Sequence, residues 1–84
     1  MIGRIVCSKA GRDKGYFLTV MGEDGESLLV CDGKERPIER PKRKNQKHLQ
    51  LTNTYLTETD LRSNKSLKKA LAVYRDTAQF KEEP

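Results

Sequence analysis

Eighty-four residues, 35% hydrophobic and 35% charged with a net charge of +5, suffice for one small domain around one core. No apolar stretch approaches the roughly 20 residues of a membrane span, and the opening "MIGRIVCSKAG" lacks the apolar centre of a signal peptide. A cytoplasmic chain is therefore expected, in which the only cysteines, Cys7 and Cys31, stay reduced and fill a core as small apolar residues.

In chain order, "GRIVCS" (residues 3–8) reads as a strand rich in β-branched side chains. The run "SKAGRDKG" then breaks the pattern, with Gly11 and Gly15 around Arg12, Asp13 and Lys14. "GYFLTVMG" (15–22) is a second strand and "ESLLVCDG" (26–33) a third. The "GEDG" between them predicts a tight hairpin in which Asp24-Gly25 supplies a positive-φ dipeptide. Both alternating sets of these strands are apolar: Leu18, Val20, Leu28 and Val30 on one side, Phe17, Met21, Leu29 and Cys31 on the other. Such a pattern suits a small sheet that curls on itself and also meets a helix.

Next comes "KERPIERPKRKNQKH" (34–48). Pro37 and Pro41 exclude a central strand or helix interior, so an edge strand or loop is expected around Ile38, followed by an exposed basic loop. "KHLQLTN" (47–53) alternates again and predicts a fourth strand, with "TYL" as an extension. The period then changes. Leu67, Leu71, Tyr74 and Ala78, with Ala70 beside them, have the spacing of one helix face, and Ser63 or Asn64 can cap its start. That stripe is expected to dock on the sheet, with a partner surface as the alternative. "KEEP" is read as a frayed tail. The domain reading is thus a β unit over 1–57, carrying the basic loop 34–48, and a helical segment over 58–84.

"AGRDKG" does not have the chemistry of a nucleotide-hydrolysing loop. Only three residues separate its glycines, no Lys-Ser/Thr pair follows, and the next element reads as a strand. A calcium loop needs several oxygen ligands, and Asp13 is its one carboxylate. Cys7, Cys31 and His48 fall short of the four ligands of a structural zinc. His48 has no Ser/Asp arrangement around it that suggests a triad. No catalysis and no cofactor are expected. What remains is a turn whose Gly11 and Gly15 take backbone angles other residues avoid, with Arg12 and Lys14 at its tip.

Charge placement carries the functional reading. Residues 34–48 hold seven Lys/Arg and two Glu, so this tract accounts for the entire +5. Closely spaced cations repel one another unless an anion is present. Together with Arg12 and Lys14, the residues Arg40, Lys42, Arg43, Lys44 and Lys47 make a strip suited to phosphates, with His48 beside it. Tyr16 and Phe17 could offer a surface for base stacking.

The run "GRIVCSKAGRDKGYFLTV" resembles a KOW motif, with Gly11 at the position of its characteristic glycine. The order "GRIV", "AGRDKG", "VCDG", a basic stretch and "KRKNQKHLQLT" resembles the archaeal and eukaryotic large-ribosomal-subunit proteins of the L-fourteen-e type. It is more similar still to their short bacterial relatives, the KOW-domain RNA-binding proteins. The likeness spans about residues 3–57 and leaves the helix outside it. It implies a mainly β fold, a small SH3-like barrel of antiparallel strands, here with a C-terminal α-helix. It also implies RNA binding, with ribosomal RNA or the ribosome as the expected partner. The implied contacts are Lys9, Arg12, Asp13 and Lys14 on the turn and the stretch from Arg40 to His48, with Asp13 serving the turn rather than the RNA. A monomer is expected. The alternative is a protein-interaction module that uses the Leu67/Leu71/Tyr74 face.

Overall fold

The structure, a computed structural model, describes the backbone of residues 1–81 and the side chains of residues 1–77. Five strands, β1 (Arg4–Ser8), β2 (Phe17–Asp24), β3 (Ser27–Cys31), β4 (Lys42–Asn45) and β5 (Leu49–Tyr55), precede one helix, α1 (Asn64–Lys81). They form a single antiparallel sheet in the order β4-β3-β2-β1-β5. The first four strands run as a meander, and β5 returns to pair with β1.

That order forces the sheet to bend. β4 and β5 are its two outer strands, yet only one 3-10 turn, Gln46–His48, separates them in the chain. Laid flat, five strands spaced by about 4.8 Å would put the edges about 19 Å apart. A three-residue 3-10 turn advances only about 6 Å. The sheet therefore curls until its edges approach, without pairing to each other.

Curling gives each face its own cover. Inside the bend lie Val6, Leu18, Val20, Leu28, Val30 and Leu49, with Leu51 packed against them. On the outer face Ile5 and Cys31 meet Leu67 and Leu71 of α1, flanked by Phe17, Met21, Ile38, Leu56, Leu61 and Tyr74. Phe17 and Tyr74 meet edge to face, with ring centroids 5.2 Å apart. This is the physical basis of two apolar sets in one strand: each has somewhere to be buried.

The helix stripe therefore docks on its own sheet. Leu67 is fully buried and Leu71 nearly so, while Tyr74 stays partly exposed. The Ser63 hydroxyl accepts from the Ser66 N–H at 3.1 Å and caps the helix. Asn64 instead ties the helix start to the β3–β4 loop, accepting from the Ile38 N–H at 2.7 Å and donating to Glu39 at 2.9 Å. Gly33 (φ +81°) lies in that loop, and a Cβ there would collide with the Asn64 carbonyl oxygen. Only glycine lets the loop come this close to the helix. The side chain of Ala78 and the tail residues 82–84 lie outside the described residues. No helix among the described residues is long and apolar enough to cross a membrane.

Three expectations need correction. The β2–β3 connection is Gly25-Glu26 rather than Asp24-Gly25, with Asp24 paired to Ser27 and Gly25 alone at positive φ (+63°). The exposed basic loop is in part a strand: Lys42 to Asn45 pairs with β3 as β4. Around Ile38, where an edge strand or a loop was expected, the chain forms a turn packed against the helix-side core. Lys47 and His48 belong to the 3-10 turn, so the last strand starts at Leu49.

Candidate nucleic-acid interface

The β1–β2 turn starts from two close backbone bonds. Ser8 N–H donates to the Tyr16 carbonyl at 2.9 Å and Gly15 N–H to the Ser8 carbonyl at 2.8 Å. Between them the chain reverses through Gly11 (φ +84°) and Gly15 (φ +88°), in the left-handed region where a side chain is strained. Asp13, between Arg12 and Lys14, is drawn inward. Its Oδ1 accepts from the Ser8 hydroxyl and from the Lys44 ammonium, each at 2.8 Å. Arg12 and Lys14 remain exposed on either side of it.

Lys44 differs most from expectation. In the β3–β4 register it pairs with Leu28. Strand alternation puts its side chain on Leu28's face, which is the inside of the bend. It is 8% exposed. A buried ammonium needs partners, and it donates to the Ala10 carbonyl at 2.9 Å as well as to Asp13. Lys44 is thus a staple from β4 to the first turn, not a phosphate contact. Lys42 lies two residues earlier on the same face, half-buried, with Nζ 3.9 Å from Asp13 Oδ2. Burial by itself would raise the Asp13 carboxyl. Hydrogen bonds from Lys44 and Ser8, and the charges of Lys44 and Lys42, outweigh it and hold the group below its ordinary value of 3.8. Asp13 thus serves the turn, in line with the role implied for it.

Arg43 points the other way. It is exposed and sits 3.4 Å from Asp24, a surface ion pair that contributes little to stability. The basic run Lys42-Arg43-Lys44 is therefore split between two faces of the sheet rather than forming one strip. Arg40 is exposed in a turn whose N–H donates to the Pro37 carbonyl at 2.9 Å.

The other expected residues do converge. Lys9 N–H donates to the His48 carbonyl at 2.8 Å, which sets the 3-10 turn beside the first turn. Lys9, Arg12, Lys14, Lys47 and His48 are all exposed along this edge. Among the described residues, none of the four Lys/Arg side chains here forms an ion pair within 4.0 Å. Tyr16, next in the turn, is 58% exposed, whereas Phe17 is half-buried against Tyr74. Of these two rings, Tyr16 is the exposed one.

Cys31 is buried, and its thiol is pushed up to about 12 by burial, with Asp32 and Glu39 adding to the effect. A thiol held protonated in this way is a poor nucleophile. The residue missed in sequence was Arg4, whose Nε donates to the Thr52 carbonyl at 2.6 Å and whose guanidinium lies 5.6 Å from the Tyr55 ring centre. Nothing local in "GRIV" signals that cross-strand clasp, which depends on the β1–β5 pairing. No protein-family model matches the chain, and no curated protein matches it significantly.

Proposed function

We propose that this protein binds RNA and performs no chemistry, acting as a KOW-type module associated with ribosomal RNA or the ribosome. One observation carries the reading: the Lys9–His48 backbone bond sets the 3-10 turn with Lys47 and His48 beside the first turn with Lys9, Arg12 and Lys14, and their four Lys/Arg cations lack carboxylate partners among the described residues. A phosphodiester backbone is the natural counterpart, because each phosphate neutralised releases condensed counterion. Such contacts position a protein without reading sequence. The resemblance of "AGRDKG" and "KHLQLT" to the ribosomal family points to the same partner. We take the bent five-stranded sheet to be an SH3-like barrel, because its outer strands approach across a single 3-10 turn.

The test is binding of a structured ribosomal-RNA fragment across a salt series. Replacing both Lys14 and Lys47 by Ala is expected to weaken binding and to flatten the log-affinity against log-salt slope by about 0.7–0.9 per lost contact. Replacing Lys44 is not informative here, since that change acts on folding. An affinity and slope unaltered in the Lys14→Ala/Lys47→Ala variant would overturn the reading.

A further inference from the structure

Beside this edge the surface carries a trough that the sequence did not announce. Two hollows of about 520 and 440 Å³ lie side by side and share Tyr16, Asp32 and Glu35 in their walls. Arg12, Arg36 and Lys42 line one end. Lys34 and two helix residues, Lys68 and Arg75, line the other. Tyr16 stands where the two meet.

From these features we infer that the trough holds a single-stranded segment of RNA, with one base stacked on Tyr16 and the backbone running toward α1. The inference rests on the RNA-binding reading above and adds the helix to it. Six cations face three carboxylates, and one of the six, Lys42, lies 3.9 Å from Asp13. Asp13 is held by Lys44. Asp32 Oδ1 accepts from the Lys34 and Arg36 N–H groups at 2.9 and 2.8 Å. Glu35 alone remains exposed and without an ion-pair partner among the described residues. An excess of positive charge is therefore left along the whole length.

The walls are built rather than incidental. The loop bearing Lys34, Glu35 and Arg36 is closed by Asp32 N–H donating to the Arg36 carbonyl at 2.9 Å. It is pressed on the helix start at Gly33 and held there by Asn64. On α1, Lys68 and Arg75 are seven residues apart, two turns along one flank. They border the docked stripe, so the same packing that buries Leu67 and Leu71 aims this flank at the trough. Arg75 has only a weak surface pairing with Asp76, at 3.8 Å.

A single strand fits better than a duplex. An exposed ring in a recess is of use only to an unstacked base, and each volume is of the size that holds one small ligand. Cations at both ends of the ring suit a backbone that passes by it.

Fluorescence anisotropy at low salt with a ten-nucleotide oligouridine, and with its duplex with oligoadenosine, tests this. Tyr16→Ala is expected to weaken single-strand binding about tenfold, the loss of one stacked base, while Tyr16→Phe keeps wild-type affinity. Lys68→Ala is expected to lower the salt slope by about 0.7. Duplex binding is expected to be weaker and insensitive to Tyr16. Wild-type single-strand affinity in Tyr16→Ala overturns the inference. If Lys14→Ala/Lys47→Ala weakens ribosomal-RNA binding while Tyr16 and Lys68 variants leave oligouridine binding intact, the edge stands and the trough falls. Should the wild type bind neither RNA, both fall.

Discussion

The two faces of the sheet are closed by different means. The outer face is sealed by a helix, with Leu67 and Leu71 laid over Ile5 and Cys31. The inner face has no such lid. Its core is shut by the bend and, at its mouth, by a polar staple in which Ser8, Asp13 and Lys44 meet. An apolar seal needs area and tolerates small shifts. A charged staple needs each partner in place, because an ion left alone in a buried site is far more costly than one in water. The cationic edge is attached to the staple, through the first turn, and the trough lies between the staple and the helix. The function proposed here thus depends on both closures.

The largest effect expected is on the helix side. Leu67→Ala removes a fully buried side chain and is expected to cost about 3 kcal/mol in urea unfolding. If the loss is only a few tenths, the helix is not the seal. The staple comes next. Lys44→Ala leaves Asp13 with only the Ser8 hydroxyl and the more distant Lys42, and is expected to cost about 2 kcal/mol. The double change Asp13→Asn/Lys44→Met is expected to recover much of that, and additive losses would show that the two residues do not act as a pair.

Acid probes the same pair. The folded Asp13 carboxyl lies below 3.8, and the unfolded one at that ordinary value. Its contribution is therefore complete above the ordinary value and is lost as pH falls through the lower folded one. Urea midpoints taken from neutral to acid pH are expected to show this decline in the wild type and less of it in Asp13→Asn.

The smallest effect separates the two cores by polarity. Thr19 is fully buried on the helix side between Ile5 and Cys31 in register, and its hydroxyl has no hydrogen-bond partner among the described residues. Thr19→Val is expected to raise stability by about 0.5–1 kcal/mol, since it removes an unpaired polar group at nearly constant shape. A loss in the same unfolding assay would show that the hydroxyl is satisfied in solution.

Much of this was legible in the chain. The β2–β3 hairpin, the strand at "RIVCS" and the helix stripe, with a cap at Ser63 or Asn64, follow from alternation, turn residues and helical spacing, all local properties. The exposed Arg12 and Lys14 also follow, because a tight glycine-bounded turn leaves its tip in water. The tract from Lys34 to His48 was less readable. Its prolines and charges describe a loop, and nothing within "KRKN" states that β3 would recruit it as an edge strand.

The sequence alone therefore determined β1, the β2–β3 hairpin and the helix, the net positive charge and its concentration in one tract, because those depend on neighbours within a few residues. Only the tertiary structure decided what each cation does. Pairing of Lys44 with Leu28 turned that ammonium inward, Arg43 outward, and the bend brought Asp13 within 2.8 Å of Lys44 from across the sheet. A strand's side chains alternate with fixed period, but which of the two sets faces inward is set by its partner's register, and that register is a contact between distant parts of the chain.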